Sequence, residues 1–234
     1  MSKILVVPDV HLKPWMFDKA DEIIARGTVD RTVLLGDLVA DWDHEKDLDL
    51  YKETLERALR FVQDHPDTLY CFGNHDMSYM WEALESGYSP AARDIAVEGI
   101  NEIIHALPPE NSGYIHRIDD VLFCHAGLSE PFVIRRFGYG GMIGIDEMIS
   151  MINRMGRDEL WRDDSPLWAR PQHSGLRMYP SYMLQVVGHT PVEAPLREKN
   201  VLTLDTFSTY RDGSPIGDQR FVCVDTVSME HEYV

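Results

Sequence analysis

Seven residues of this chain can bind a metal or move a proton, and each stands at the end of a short apolar run. They are Asp9 and His11 in PDVH, Asp37 in LLGD, Asn74 and His75 in FGNHD, His125 in LFCHAG and His189 in VVGHT. Apolar β-type runs that stop at such residues place them where strands end and loops begin, which is where open α/β sheets hold ligands. Carboxylates, a carboxamide and imidazoles gathered at neighbouring strand ends are the parts of a two-metal hydrolytic site.

Taken singly, each residue has an everyday reading as well. Asp9 and His11 are two apart, so a persisting strand would turn both to one side; for the pair alone a surface turn is the slightly better explanation. Asp37 has two oxygens and could bridge two cations, and Gly36 lets its backbone approach closely. An Asp after a strand is also a common turn residue. Asn74 offers a neutral carbonyl. His75 beside it can stay unligated and serve as an acid, because imidazole titrates near neutrality. His125 and His189 alone would pass for structural histidines. The coincidence at five strand ends is what joins them into one site. An oxygen and nitrogen ligand set suits Mn, Fe or Zn better than Ca.

The elements that must position these residues alternate in the first third. Lys3 to Val7, Thr32 to Leu35 and Thr68 to Phe72 read as buried strands. Pro14 to Arg26 and Leu48 to Val62 read as amphipathic helices between them. That order predicts parallel pairing. Met77 to Leu107 reads as mostly helical with a break at Gly87 to Pro90. Tyr114 to Ile118 and Val121 to Cys124 form a hairpin about Asp119-Asp120. Phe132 to Met155 reads as helix, loop, helix. Gly138, Gly140, Gly141 and Gly144 loosen its centre; without a following Lys-Ser/Thr they make a mobile connection rather than a phosphate loop. Gln185 to Val187, Val201 to Leu204 and Phe221 to Val224 are the last strands. The chain is expected to form one domain over 1–234, with helical insertions at about 77–110 and about 130–184.

Composition narrows the function. A net charge of −17 argues against nonspecific nucleic-acid binding. Cys71, Cys124 and Cys223 sit in apolar runs and are expected as buried thiols, not a disulfide framework or zinc ribbon. No run approaches membrane-spanning length and the first strand begins at once, so a cytoplasmic location is expected.

The series DVH, GD, GNHD, HAG and GHT resembles the calcineurin-like metallophosphoesterase superfamily, in order from Asp9 to His189. The resemblance implies an α/β fold (α+β), a two-sheet β-sandwich flanked by helices. It implies that two divalent ions, Mn first, Fe or Zn otherwise, are held by Asp9, His11 and Asp37 and by Asp37, Asn74, His125 and His189. His75 would be the general acid, and a metal-bridging hydroxide would attack phosphorus. HAGL, LWAR and GHTP are similar to PPP-type serine/threonine phosphatases and their bacterial relatives, which makes Arg170 the phosphate-gripping candidate, with Asn74 beside it. The implied substrates are a phosphorylated small molecule, a nucleotide or a phosphoprotein, with no membrane partner.

The departures concern the first ion. Pro191 stands where many members of the superfamily have a second histidine, so that ion is expected to have fewer protein ligands. PPP enzymes carry GDxVDRG; here Ala40 replaces the Asp that orients the catalytic His, and Asp41 replaces an Arg. Asp41 could stand in as the orienting carboxylate, and Arg93, Arg135 and Arg136 could replace the lost Arg. Trp15, Trp42, Tyr79 and Trp81 follow the motifs and could wall the cleft, and His173 could line it. A hydrolase of nucleotides, dinucleoside polyphosphates or cyclic diesters is the nearest alternative. A noncatalytic metal-binding scaffold is the alternative of another class.

Overall fold

A computed structural model describes residues 2–138 and 143–234. In chain order the elements are β1 (Lys3–Val7), α1 (Trp15–Ile24), β2 (Arg31–Leu34), α2 (Leu48–Asp64), β3 (Leu69–Cys71), α3 (Asn74–Met80) and α4 (Arg93–Ala106). Then come β4 (Ser112–Gly113), β5 (Ile115–Ile118), β6 (Val121–Cys124), α5 (Glu130–Phe137) and α6 (Ile145–Ile152). The last are the single-turn helices α7 (Arg157–Leu160) and α8 (Pro171–Ser174), then β7 (Leu184–Val187), β8 (Leu196–Glu198), β9 (Val201–Thr203), β10 (Val222–Asp225) and β11 (His231–Tyr233).

The strands form two sheets, ordered β11-β10-β1-β2-β3-β4 and β5-β6-β7-β9-β8. β1 to β4 run parallel to one another, as the long helical connections demand, while β10 pairs with β1 antiparallel. In the second sheet β6, β7 and β9 are parallel. Alternation then decides the layers. Ile4 and Val6 of β1 join Val33, Phe123, Val186 and Leu202 in the core between the sheets. Leu5 and Val7 face the other way, onto Phe17, Tyr51, Phe61 and Ile100 of the helices. The second sheet turns Leu122, Cys124 and Val187 to Phe132, Met148 and Leu160. The result is helix, sheet, sheet, helix. Burying each of these large side chains stabilises the fold by roughly 1.5–3 kcal/mol. A slip of one residue in β1 would exchange its two faces, so the register is tightly specified.

That register has one consequence for chemistry. The six strands β1, β2, β3, β6, β7 and β9 all end on the same edge of the sandwich, just before Asp9, Asp37, Asn74, His125, His189 and Asp205. The expected strands and long helices are present. The hairpin turns at Asp119, whose φ is 52°. Three short strands, β4, β8 and β11, were not expected; all lie at or beside sheet edges, where few buried contacts print an apolar pattern. The helix expected from Met77 begins at Asn74, inside the motif, and ends at Met80, so the break before α4 covers residues 81–92 rather than 87–90 alone. The centre of the glycine cluster, Gly140 and Gly141, lies outside the described residues; Gly138 caps α5 with φ 79°. All three cysteines are free and buried. Among the described residues no helix is long and apolar enough to cross a membrane.

Candidate metal centre

Close backbone approach brings the strand ends together. Gly36 has φ +94°, and a Cβ there would lie 2.4 Å from the backbone nitrogen of Gly73, so the Asp37 and Asn74 loops touch only because both are glycine. A Cβ on Gly188 would lie 2.0 Å from Asp9 Oδ2, which lets the β7 loop close over Asp9. His11, Asp37 and His189 themselves have φ of 42°, 49° and 62°. Left-handed backbone at a non-glycine residue costs about 1 kcal/mol or more, and here it falls on three candidate ligands. The Asp9–His11 pair therefore does not converge by strand alternation as expected. β1 stops at Val7, and a turn aims His11 instead.

Hydrogen bonds fix what the imidazoles present. His125 Nδ1 lies 2.8 Å from the Leu35 carbonyl, and His11 Nδ1 lies 2.7 Å from the Ala40 carbonyl. A carbonyl only accepts, so each Nδ1 carries a hydrogen and each Nε2 is the atom left to take a proton or an ion. His125 Nε2 faces Asn74 Oδ1 at 2.9 Å, His189 Nδ1 at 3.1 Å and Asp37 Oδ2 at 3.3 Å. Four acceptor-capable atoms turned to one point need a proton or a cation between them. The distances suit oxygen and nitrogen ligands gathered around an ion such as Zn, at about 2.0–2.2 Å each. A second convergence joins Asp9, His11 and Asp37, whose ligand atoms lie within 4.8 Å of one another. Asp37 belongs to both groups. Asp9 Oδ2 and His189 Nε2 are buried without any hydrogen-bond partner. The residues thus fit two cations, one on each side of Asp37.

Charge tells the same story. Burial raises the Asp9 carboxyl, to about 8, with the neighbouring charge of Asp205 adding to it. Burial opposes the charge on His125, yet Asp37 carries that imidazole up to about 9. Asp37 is pulled below the ordinary carboxylate range by His125, His75 and His11 in spite of burial. Both upward shifts answer to the same crowding of buried carboxylates, a negative charge that a divalent ion would offset.

Beneath the centre lies a hub. Asp76 is fully buried and accepts from the backbone of Asp37 at 2.9 Å, Leu38 at 2.8 Å and Gly73 at 3.1 Å, and from the Tyr70 hydroxyl at 2.8 Å. It clamps two motif loops together. His75, next to it, donates its backbone N–H to Asp37 Oδ1 at 2.8 Å, and its ring meets His11 edge-on. Its Nδ1 is buried with no partner, and burial lowers the imidazole to about 4.

The site opens into a pocket of about 360 Å³. Arg170 lines it, half-buried, and donates to the His189 carbonyl at 2.9 Å and to Thr190 Oγ1 at 3.2 Å. Several expectations fail here. Asp41 does not orient His75: its carboxylate accepts from Lys13 Nζ at 2.8 Å and Thr209 Oγ1 at 3.1 Å, because a buried cation on the adjacent turn is the stronger partner. Arg93, Arg135 and Arg136 do not replace the lost Arg; they pair with Glu82 and Asp94, with Asp164 and with Glu159. Of the four aromatics only Trp42 walls the pocket. Tyr79 is core, Trp15 packs on Phe207, and Trp81 packs against Tyr114 and edge-on to Trp161. His173 is not among the lining residues.

One residue went unforeseen. Asp205 follows β9, is 1% exposed, lines the same pocket, and accepts from Ser208 N at 3.2 Å and Ser208 Oγ at 2.9 Å. Its signal was present in VLTLD, an apolar run ending in a carboxylate like the others.

The profile of calcineurin-like phosphoesterases matches residues 2–208. No curated protein matches by sequence. Among solved structures the chain is similar to TT1561 of Thermus thermophilus, at 13% identity, covering 100% of this chain and 98% of that one, with a TM-score of 0.50. It also resembles a metallophosphoesterase from Sphaerobacter thermophilus, at 15% identity over 99% of this chain and 86% of that one, TM-score 0.43. A third is YfcE, a phosphoesterase from E. coli, at 12% identity, 99% and 98% covered, TM-score 0.41. At 13% identity the likeness to TT1561 lies in the fold.

Proposed function

The chain belongs to the calcineurin-like phosphoesterase family, a metal-dependent hydrolase family, and from that premise we propose that it hydrolyses phosphate monoesters at the centre shared by Asp37. The observation that carries the reading is the ring of lone pairs around His125 Nε2, which only a proton or a cation can satisfy. Asp9, His11 and Asp37 would hold one ion and Asp37, Asn74, His125 and His189 the other. Mn is the first choice, and Fe or Zn also suits the set. When bound, the two ions supply Lewis acidity toward phosphoryl oxygens and acidify water near neutral pH.

The chain's own groups do the rest. The Arg170 guanidinium reaches the pocket beside His189 and is shaped to pair with phosphoryl oxygens. His75 lines the same pocket and is the candidate donor of a proton to the departing alkoxide. Burial leaves it neutral at pH 7, so the anionic substrate must raise it or bring the proton along. Trp42 and Tyr210 on the pocket wall favour, as a second reading, substrates with a planar ring such as nucleotides. A cytoplasmic location is part of the proposal, supported by three unpaired thiols.

The test is to strip the protein with a chelator and restore Mn over a panel of alkyl monoesters, nucleotides, cyclic diesters and phosphopeptides. Monoester turnover that returns with Mn supports the proposal. A protein that binds two ions and cleaves nothing would be the scaffold of the other class.

A further inference from the structure

The pocket has two cations at two depths. Arg170 lies at its base, half-buried and tied to the His189 carbonyl. Arg211 lies at its rim, exposed, with its guanidinium 4.7 Å above the Trp42 ring. Among the described residues no carboxylate pairs with Arg211, although the chain carries 39 acidic residues against 22 basic ones. Its charge is therefore available to a ligand.

The rim is built. Arg211 sits at the tip of a tight hairpin in which Tyr210 N donates to Ser214 O at 2.9 Å and Ile216 N donates to Ser208 O at 2.9 Å. One leg is tied to Asp41 through Thr209 Oγ1, and to Asp205 through Ser208. Asp41 is in turn held by Lys13, whose Nζ also donates to the His11 carbonyl at 3.0 Å. Both of these side-chain fastenings run to the loops that carry the metal-centre residues. The cation–π contact with Trp42 holds the guanidinium over the pocket wall and shortens its search among rotamers. A pocket that grips one phosphate at its base would leave this second cation facing whatever the substrate carries a few bonds further out.

We infer that the site takes phosphate esters bearing a second phosphate, and that Arg211 recognises that second group. This rests on the reading of the site as a phosphoesterase centre. The carboxylate of Asp41 serves it indirectly, as the anchor of the hairpin.

The probe is a series of alkane-α,ω-bisphosphonates with spacers of increasing length, each against its matching alkylphosphonate. Binding to the Mn-loaded protein is read by titration calorimetry, which needs no turnover. At least one bisphosphonate is expected to bind about 10–100-fold tighter than its partner, the worth of a charge-assisted hydrogen bond. Arg211→Gln should erase that advantage and leave the alkylphosphonate affinity unchanged. Thr209→Val, which unties the hairpin but keeps the cation, should lose part of it. The inference is overturned if no bisphosphonate gains more than about twofold, if the gain survives Arg211→Gln, or if Arg211→Gln weakens both ligands alike. Hydrolysis of the matched phosphates by the wild-type protein is scored separately. Tight binding without turnover would count against the phosphoesterase reading and leave the Arg211 subsite standing.

Discussion

The two halves of the metal centre are built differently. Around His125 the acceptors Asn74, His189 and Asp37 already sit 2.9–3.3 Å from one nitrogen, so that corner is closed by the motif residues themselves. Around His11 the corner is crowded with acids, Asp9, Asp37 and Asp205, and an Asp9 oxygen has no partner at all. Its surroundings combine Lys13, two residues on, with Asp41 and with Ser208 and Thr209 from far along the chain. The first corner follows the motif pattern and the second departs from it at Ala40, Asp41 and Pro191. What the difference teaches is that residues outside the motifs, Asp205 and the Ser208–Thr209 leg, gather where the motif pattern is broken.

The largest effect should come from the residue both corners share. Asp37→Asn removes a charge from both groups, so both ions should be lost together, with activity falling by more than the roughly 10²–10⁴-fold attributed to an acid catalyst. Metal analysis after gel filtration checks this, and a variant that retains one tight ion would show the corners to be independent. Next comes His75→Ala, expected to slow alkyl phosphates by about 10²–10⁴-fold. Its effect on p-nitrophenyl phosphate should be much smaller, because that leaving group scarcely needs a proton. Equal losses on both would take His75 out of the acid role.

Asp205→Asn separates the corners. Its carboxylate acts electrostatically on Asp9 and His11, but it is not part of either close ligand group. A carboxylate just outside the ligands is expected to strengthen the ion at Asp9 and His11 by about 10–100-fold. Calorimetry should show one weakened site and one unchanged. Two unchanged sites would confine Asp205 to holding Ser208.

Most of the sandwich was legible because its strands are buried on both faces and print unbroken apolar runs, as in Val33-Leu34-Leu35 or Val121 to Cys124. The metal-centre candidates were legible for the same reason, since each ends such a run. What stayed hidden depended on partners distant in the chain. Asp76 looked like the tail of a motif, yet it clamps backbone from two loops. Asp41 looked like a catalytic substitute because nothing nearby in sequence reveals Thr209, 168 positions away. Asp205 carried the right local signal, and its run was read as one more strand. The edge strands β8 and β11 left no pattern because they are largely open to water.

The smallest effect concerns the fastening of the second corner. Lys13 and Asp41 are both largely buried, and Lys13 also holds the His11 carbonyl. Lys13→Met would leave a buried carboxylate with Thr209 as its remaining side-chain partner, at a cost of about 1–3 kcal/mol near neutral pH. Lys13→Met with Asp41→Asn should recover part of that loss, because the stranded charge is gone. The pH dependence gives a further check. Burial pushes the Asp41 carboxyl up, but Lys13 prevails and holds it below its ordinary value. A carboxyl depressed in the folded state stabilises fully above its unfolded value, about pH 4, and loses that contribution as pH falls through the folded value. The wild-type advantage over Lys13→Met, measured by denaturant melts, should therefore hold from neutral pH down to about pH 4 and shrink below it. An advantage that does not change on acidification would mean that Lys13 acts through the His11 carbonyl alone, and that the ion pair contributes nothing to the corner beside it.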